Sequence, residues 1–565
     1  MDNQTLTEAS NPVSEKTFEE VAKEVIRRSF RSAICIDNEY ASAYSTSTKE
    51  GIDYIEPREL YYSFREQGVC DLDIFEFETM EVSWKDYMLE NKDLMILDWE
   101  LDPGRKFDST IDILKRVVAS GKIPFVVIYT NTPDIDSVAK ELISNFNPVN
   151  TKQLENFSQL FFEQMSPITN DGIADLDSLK DESDLFFEYL HIPQRNAEAE
   201  QRILELLGKV LDLKPAISTT SLSKKVAGLI KSAFPEVEAG KEFTQLAYLV
   251  MLEGADSMQV PVVRIDSKAI SYLINNTTNI MIFHKQGQTG GITPEKLFSE
   301  FAQTLMSDPH NFISLLALEM KDNFRENFSN IGAKFAAINE KAFLYHMGNY
   351  PGETGLDKNK IYEFILRSWV YELFQQKIGE KSDVLEFIDA RYEKLEIAKI
   401  TPDESLLSEL VRYSAYISTT DLSYDLTKKL WFGDIFKNTK NEYFLCITPH
   451  CDCAFPSKIK KNYYFVKGTI NNNTQQALEN AEQGYSSFIT DGLNPVCIDW
   501  KRKPFTSFVK DNTLNSASIL YDGCNYELQY VTSLKENYTQ RISNESFAYG
   551  YRVGIDLPHL PSASK

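Results

Sequence analysis

The sequence predicts an α/β fold: a doubly wound parallel sheet with a helical insertion, followed by a helical region and a small α+β domain. Three short apolar runs, at 33–36, 94–97 and 125–129, are typical of buried parallel strands. A helical pattern lies between the second and third runs, which makes a βαβ unit. In folds of this kind the functional site lies at the carboxyl ends of the strands.

Helices are predicted on both sides of these strands. Thr17 and Glu20 form a capping box that starts a helix ahead of the first strand. The polar residues 1–16 before that helix are expected to be a disordered tail. Asp108 is placed to cap the helix between the second and third strands, and Gly121 is placed to end it.

A fourth apolar run, at 279–283, is predicted to close the sheet after a long interruption. Residues 135–255 are mostly helical and acidic in pattern and contain no apolar run of strand length. Beyond the closing strand, Thr293 as N-cap and Pro294 at the first helical position start another helix. The sheet is therefore expected to be interrupted by the helical segment and then completed.

The domain organisation follows from these changes of pattern. The segment 309–423 is again rich in helical patterns, which predicts packed helices or a dimer interface, and short strands separated by turns follow it. We predict a tail at 1–16, the first part of the sheet domain at 17–134, the helical insertion at 135–255, the closing strand and helix at 256–308, the helical region at 309–423 and an α+β domain at 424–565.

Composition narrows the classes of function. The 565 residues carry 59 basic and 83 acidic side chains, so the net charge is 59 − 83 = −24, which disfavours nucleic acid as a partner. No apolar run approaches the roughly 18 residues of a membrane span, and the N-terminus has no signal-peptide pattern. Seven scattered cysteines are not a disulfide framework. We expect a cytoplasmic protein with reduced thiols.

Polar residues at the ends of the predicted strands form the candidate site. Asp37, Asp98 and Thr130 directly follow three strands, and Lys285 comes shortly after the closing strand. At one sheet edge, two carboxylates can hold Mg²⁺, a hydroxyl can hydrogen-bond a phosphoryl oxygen, and an ammonium can neutralise its charge. Asp98 lies on the central strand and is the predicted nucleophile, which would form an aspartyl phosphate.

Three sequence segments carry a resemblance to a known family. IleCysIleAspAsnGlu at 34–39, AspLeuMetIleLeuAspTrpGlu at 93–100 and IleProPheValValIleTyrThrAsn at 123–131 resemble the first, third and fourth strands of a CheY-like receiver domain of bacterial two-component response regulators. The resemblance implies a five-stranded parallel sheet and a phosphoacceptor role for Asp98. It also implies that the closing strand is the fifth strand of that domain.

The same resemblance assigns roles to the other site residues. Asp37 is implied to be an acidic Mg²⁺ ligand, and Glu100 a ligand through its backbone carbonyl. Thr130 is implied to be the switch hydroxyl, and Lys285 the lysine that contacts the phosphoryl group. One further metal ligand is left open between two neighbours, Asn38 or Glu39, because Asn38 stands where the family usually has a second acidic residue.

The fifth-strand region departs further from the family. Gln286 follows Lys285 where a proline is usual, and Ile282 stands where an aromatic switch residue is expected, with Phe283 one residue away. The spacing from Thr130 to Lys285, 285 − 130 = 155 residues, is also stretched. We therefore expect switching that does not follow the usual rotamer coupling.

The C-terminal domain contains a dense cluster of soft ligands. Cys446, His450, Cys451 and Cys453 lie within eight residues, at 446–453. A zinc site or a Cys–His nucleophile is conceivable, but a second paired Cys motif is missing, and neighbours on an extended loop point apart. We favour a turn that follows a strand in a reduced domain.

Further segments extend the resemblance. GlyAspIlePhe at 433–436, ThrProHisCysAspCys at 448–453 and ArgValGlyIleAsp at 552–556 resemble the C-terminal half of a poorly characterised bacterial family in which a receiver domain comes first. That family is similar to proteins found beside histidine-kinase-like ATPases, some of them in anti-phage defence. The resemblance implies a signalling role and assigns no reaction to this half of the chain.

Taken together, the sequence predicts a phosphoacceptor signalling protein in which the receiver controls the C-terminal regions. The expected partners are a histidine kinase or a kinase-like ATPase, and a second copy of the chain bound through the helical region. Two alternatives stay open: an effector enzyme that uses Cys451, Cys453, His450 or Asp452, and a degenerate receiver that acts as a protein-interaction module. A regulator is favoured over an enzyme, because no phosphate-binding loop, nucleophile elbow or zinc-protease motif is present.

Overall fold

A computed structural model of the chain describes 25–42, 51–68, 70–102, 107–191, 197–235, 240–252, 265–268, 271–274, 277–286, 290–307, 312–328, 339–349, 402–420, 429–479, 486–492, 494–501, 503–510, 513–514 and 517–550, with the single residues 237, 382 and 481. The predicted tail, the capping box at Thr17 and Glu20 and the segment 552–556 lie outside these residues. The chain divides into two units: Met1–Gly352 with Leu356–Ala398, and Glu353–Gly355 with Lys399–Lys565.

The first unit is built on a mixed sheet, which has seven strands in the described residues. The strands are β1 Ser32–Asp37, β2 Asp71–Glu76, β3 Leu94–Leu97, β4 Phe125–Thr130, β5 Ile265–Lys268, β6 Ser271–Ile274 and β7 Thr278–His284, in the spatial order β2-β1-β3-β4-β7-β6-β5. The first five in that order are parallel, and β6 and β5 continue the sheet antiparallel. The predicted doubly wound fold is therefore confirmed, with an antiparallel hairpin added at one edge.

Helices cover both faces of this sheet. Residues 25–29 are helical. The α-helices that follow are α1 Glu56–Gly68, α2 Met80–Ser83, α3 Asp108–Ser120, α4 Ile135–Asn145, α5 Thr151–Met165, α6 Ser183–Leu190, α7 Ala197–Val210, α8 Thr219–Ala233, α9 Glu242–Met251, α10 Pro294–Ser307, α11 Phe312–Phe328 and α12 Glu340–Asn349. Helices α4 to α9 form the helical segment between β4 and β7, where the sequence predicts it.

Side chains of the strands pack into two separate hydrophobic cores, because successive side chains point to opposite faces of the sheet. Ile34 and Ile36 of β1 pack on one face with the helices between β4 and β7. Ala33 and Cys35 pack on the other face with α1, α10 and α11. The helical insertion is thus part of the main core of this unit.

Two predicted helix caps differ in detail from the structure. Helix α3 begins at Asp108 itself, and Phe107 occupies the N-cap position, where its side chain makes no capping hydrogen bond. Gly121 ends the helix with a φ of +59°, as predicted for a glycine C-cap. Helix α10 begins at Pro294, but the buried Thr293 hydroxyl has no hydrogen-bond partner among the described residues and therefore does not cap it.

The second unit is a mainly antiparallel α+β structure. Its strands are β8 Thr419–Thr420, β9 Asp434–Lys437, β10 Tyr443–Cys446, β11 Asn462–Ile470, β12 Ser486–Asp491, β13 Asn494–Trp500, β14 Phe505–Phe508, β15 Ser518–Tyr521, β16 Cys524–Glu527 and β17 Gln529–Leu534. The main sheet runs β12-β13-β11-β10-β9-β17-β8, with β14 paired to β11, and β15 and β16 form a separate hairpin. Its helices are α13 Glu404–Ser418, α14 His450–Ala454, α15 Thr474–Glu479 and α16 Glu536–Gly550.

A membrane-spanning helix is not found in the part of the chain that the structure describes, since none of its helices is long and apolar enough.

Gly433 is a position in the second unit where only glycine fits. Its φ is +98°, and a Cβ atom there would lie 2.5 Å from the Leu534 carbonyl oxygen and 2.9 Å from the Thr539 hydroxyl. We expect Gly433→Ala to destabilise this unit by about 2 kcal/mol, because backbone strain and a clash with backbone act together. Thermal unfolding followed by circular dichroism measures the loss. Gly492→Ala, which also has a positive φ but open space around it, is the matched control and should cost clearly less.

Candidate functional site

The carboxyl edge of the first sheet brings four polar side chains together. Asp37 ends β1, Asp98 follows β3, Thr130 ends β4, and Lys285 follows β7. All four are buried, with exposed fractions of 2%, 7%, 1% and 3% in that order. The pairing of β4 with β7 sets Thr130 opposite His284, and the Lys285 amide donates to the Thr130 carbonyl at 2.8 Å. The register therefore places Lys285 at this edge.

The ammonium group of Lys285 lies between the two carboxylates. Its Nζ is 2.8 Å from Asp37 Oδ2 and 2.8 Å from Asp98 Oδ1. Two aromatic rings also face the ammonium, with ring centroids at 5.0 Å for Tyr40 and 5.9 Å for Tyr129. The site is thus a buried ion-pair triad with an aromatic surround.

Backbone amides hold the remaining carboxylate oxygens. The Glu39 amide donates to Asp37 Oδ1 at 2.8 Å, and the Glu100 amide donates to Asp98 Oδ2 at 2.9 Å. In both cases the donor is two residues beyond the aspartate, so the loop that leaves the strand fixes the carboxylate. All four carboxylate oxygens of Asp37 and Asp98 therefore have a partner.

Burial and charge set the protonation of the triad. Burial raises the pKa of Asp98 to about 6, the Lys285 ammonium opposes this shift, and the Asp37 charge adds to it. Burial would lower the pKa of Lys285, but the charges of Asp37 and Asp98 outweigh burial and hold that pKa above its ordinary value. Lys285 therefore stays protonated at neutral pH.

Thr130 takes part in a short chain of hydrogen bonds. Its hydroxyl is 2.9 Å from the Thr132 hydroxyl and accepts from the Thr132 amide at 3.0 Å. The Thr132 hydroxyl in turn donates to Glu100 Oε1 at 3.2 Å. Thr130 is thereby linked to the loop that follows Asp98.

Two residues that support the site, Thr132 and Thr110, are not singled out by the sequence. Thr132 lies two residues after β4, and only its nearness to Thr130 in the ThrAsnThr sequence is a signal. Thr110, which is buried in α3, donates through its hydroxyl to the carbonyls of Asp98 at 3.0 Å and of Trp99 at 2.8 Å. Thr110 thus fixes the loop behind Asp98.

The candidate metal ligands are arranged around the same triad. Asn38 is half-buried, and the side chains of Glu39 and Glu100 are exposed. Among the residues that the structure describes, no three His, Cys, Asp or Glu side chains are grouped closely enough to hold a metal ion. Of the candidate ligands, Asp37 and Asp98 provide buried carboxylate oxygens, the kind of ligand that Mg²⁺ prefers. These two carboxylates suit a divalent cation, and the Lys285 ammonium occupies the space between them.

The fold and the site define a class of protein. The parallel strand order β2-β1-β3-β4-β7 is a doubly wound order. Proteins with this order bind their ligands at the carboxyl ends of the strands. In this chain that edge carries Asp98, after the central strand β3, and Lys285. Residues 29–168 match the family model of the response receiver domain. The chain therefore contains a CheY-like receiver domain, and the predicted resemblance is confirmed for this part of it.

The match covers the strands β1 to β4 with the helices α1 to α5, and it leaves the chain beyond residue 168 outside. Asp37, Asp98 and Thr130 lie within it, whereas β7 and Lys285 lie beyond it and are joined to the domain by strand pairing. No curated protein and no solved structure matches the chain. A receiver domain supports a phosphoacceptor role in signalling in general terms.

The cysteine cluster in the second unit has a different local structure from the one expected. His450, Cys451 and Cys453 lie on the short helix α14, not on an extended loop. Cys446 and Cys453 are buried, and Cys453 donates to the Thr448 carbonyl at 3.2 Å. A hydrogen bond with Cys446, together with burial, raises the pKa of Cys453 well above its ordinary value. Cys453 is therefore a protonated core residue and a poor nucleophile.

His450 is held by aromatic packing and one acidic side chain. Its ring lies 4.8 Å from that of Phe432 and 5.4 Å from that of Trp431, measured between centroids. Its Nε2 is 3.3 Å from Glu536 Oε1. These contacts join the segment before β9 to the start of α16.

Proposed function

We propose that this chain is a response regulator in which Asp98 accepts a phosphoryl group and the receiver domain thereby controls the C-terminal regions. The observation that carries the proposal is the position of Asp98 within a receiver domain, at the end of a central parallel strand and 2.8 Å from a buried lysine. A carboxylate with an adjacent ammonium can take up the negative charge that develops during phosphoryl transfer.

The proposed reaction is a direct transfer to the carboxylate. An Asp98 oxygen attacks phosphorus, the bond between phosphorus and the donor's leaving atom breaks, and the bonding electrons remain with the leaving group. Lys285 balances the added charge. When bound by Asp37, Asp98 and the Glu100 carbonyl, with Asn38 or Glu39 as the further ligand, Mg²⁺ would supply additional charge screening.

The donor proposed for this reaction is a histidine kinase or a kinase-like ATPase in the cytoplasm, in a signalling system that serves defence against phage. Asp98 is only 7% exposed, so the donor must reach it through the loops that follow β1, β3 and β4. We also propose a homodimer through the helical region. Its support is two large apolar side chains on α11 that are exposed, namely Ile313 and Met320.

A second candidate is a degenerate receiver that serves as a protein-interaction module. The observation that favours it is the triad itself, because each carboxylate oxygen of Asp37 and Asp98 already has a partner. A domain of this kind keeps the fold without the chemistry.

Intact-mass spectrometry of the full chain distinguishes the two. The protein is incubated with acetyl phosphate and Mg²⁺, or with its cognate kinase, and we expect the mass of one phosphoryl group to be added. Borohydride reduction followed by peptide mapping should place the group on the peptide that contains Asp98. A folded sample that gains no phosphoryl mass from either donor would show that the degenerate module is the correct function.

A change at Thr130 should separate labelling from the response to it. Thr130→Ala removes the hydroxyl that bonds Thr132 but leaves the nucleophile in place, so we expect the extent of labelling to stay within about twofold of wild type. The conformational response, read from the fluorescence of Trp99 beside the site, should fall by at least half, because the hydroxyl is the group that follows the phosphoryl oxygen. Ser299→Ala on α10 changes an exposed hydroxyl and should leave both unaltered. A full Trp99 response in Thr130→Ala would contradict the switch role.

A further inference from the structure

The space between Asp37 and Asp98 is already filled by a positive charge of the chain itself. Lys285 is 3% exposed, and its Nζ lies at the same distance, 2.8 Å, from an oxygen of each carboxylate. A divalent cation shared by these two carboxylates would have to lie in the same space. The two cations therefore compete for one position.

We propose that Lys285 is the resident cation of this site, held there by Tyr40 and Tyr129, and that Mg²⁺ binds only by displacing its ammonium from between Asp37 and Asp98. This inference deepens the proposed function, because it makes metal entry and lysine departure a single exchange at the phosphoacceptor. Within it, Tyr40 is a positioning residue that acts through Lys285.

Tyr40 is fixed at both its backbone and its hydroxyl. It is 1% exposed, and its hydroxyl donates to Glu56 Oε2 at 2.9 Å, at the start of α1. Its backbone forms a bridge with Asp53, through hydrogen bonds of 2.7 Å from the Asp53 amide to the Glu39 carbonyl and 3.0 Å from the Ala41 amide to the Asp53 carbonyl. Rotation of the ring away from the ammonium would break the hydroxyl bond to Glu56, and the bridge with Asp53 fixes the backbone that carries the ring.

Tyr129 is the second ring that faces the lysine. Its hydroxyl donates to the Ile292 carbonyl at 2.6 Å, in the segment that joins β7 to α10. Because the electron-rich faces of aromatic rings attract cations, Tyr40 and Tyr129 stabilise the ammonium where it lies. Neither tyrosine is a metal ligand in this arrangement.

Charge balance explains why the two cations cannot share the space between Asp37 and Asp98. Two carboxylates and one ammonium give the triad a net charge of −2 + 1 = −1. A divalent ion added with Lys285 in place would make it +1, with two positive centres within a few ångströms of each other in a buried site, which is strongly repulsive. With Lys285 displaced the net charge becomes zero. The ammonium must therefore move out of the space between the carboxylates for the metal to bind there.

The test is a calorimetric titration of the full-length protein with MgCl₂ and no phosphoryl donor. Lys285→Met keeps the apolar stem and removes the competing charge, so we expect it to bind Mg²⁺ at least tenfold more tightly than wild type. Lys296→Met removes the same charge from an exposed position on α10 and should match wild type. Equal or weaker binding by Lys285→Met would overturn the proposal.

A second variant tests the exchange with Lys285 still present. Tyr40→Leu keeps an apolar side chain but removes the ring over the ammonium, and we expect Mg²⁺ affinity to rise about threefold. Tyr40→Phe keeps the ring and should stay closer to wild type. Unchanged affinity in Tyr40→Leu would exclude the positioning role. Because no donor is present, the result is independent of whether Asp98 is phosphorylated, and a failure of labelling would leave this exchange intact.

Discussion

Asp98→Asn is expected to abolish phosphoryl incorporation into the receiver domain. The amide has nearly the shape of the carboxylate but lacks the nucleophilic oxygen, so the transfer step has no acceptor. Lys285 keeps its contact with Asp37, and the carbonyl oxygen of the new side chain can still accept from the Glu100 amide, so the fold should be retained. Intact-mass spectrometry under conditions that label wild type measures the loss, and circular dichroism checks the fold.

The matched control for this variant is a carboxylate elsewhere in the same domain. Asp108 is exposed at the first position of α3 and has no part in the triad. Asp108→Asn should be labelled like wild type, within about twofold. If Asp98→Asn gained phosphoryl mass at the wild-type rate, another side chain would be the acceptor and the assignment of Asp98 would be wrong.

The strands that the sequence predicts are those buried on both faces. β1, β3, β4 and β7 are almost completely buried, so their sequences are continuous apolar runs. β2 lies at the sheet edge and reads AspLeuAspIlePheGlu, in which polar residues interrupt the run. β5 and β6 have only four residues each, and β5 forms the opposite edge of the sheet. Edge strands and strands this short carry too little apolar pattern to be recognised beside a long helical segment.

The sequence predicts the part of the site that follows directly from the ends of the strands. Because parallel strands end at one edge, the sequence places Asp37, Asp98 and Thr130 near one another. It does not place the Lys285 ammonium between two carboxylates that are distant in the chain, 248 residues away in the case of Asp37, since that depends on side-chain packing in three dimensions. The rings of Tyr40 and Tyr129 were missed for the same reason.

The error at the cysteine cluster has another physical origin. Helix α14 covers only His450–Ala454, about one and a half turns. A helix of this length shows no periodicity that a sequence can reveal. The proline at its N-cap position is equally typical of a turn, so the direction of Cys453 into the core could not be predicted.

Asp93 lies at the other end of β3 from Asp98 and anchors the helix α11. It is fully buried directly before β3, and it accepts from the backbone amides of Arg31 at 3.0 Å and Ser32 at 3.3 Å. From α11, Lys321 Nζ lies 2.7 Å from Oδ1, and the Arg325 guanidinium donates to both oxygens at 2.9 and 3.1 Å. One carboxylate therefore connects β1, β3 and α11.

These contacts determine how the anchor depends on pH. Burial by itself raises the pKa of Asp93, but hydrogen bonds from Arg325, Lys321 and the Arg31 amide outweigh burial, and the pKa is lowered. A carboxylate whose pKa is lower in the folded state stabilises that state above its unfolded pKa of about 3.9, and the contribution is lost as pH falls towards the folded value. Between pH 5 and 7 the anchor should therefore be at full strength.

Asp93→Ala should destabilise the first unit by about 3 kcal/mol at pH 7, because it leaves two cations and two backbone amides without their shared buried acceptor. Hydrogen-exchange mass spectrometry of the amides at 94–97 measures the loss locally. Asp73→Ala removes an exposed carboxylate paired with Lys92 and should cost less than about 1 kcal/mol. The difference between wild type and Asp93→Ala should shrink as the pH is lowered below about 4. A loss no larger than that of Asp73→Ala would mean that the apolar contacts of Leu315 and Leu318, with the ion pairs from Arg28 to α11, hold this helix without Asp93.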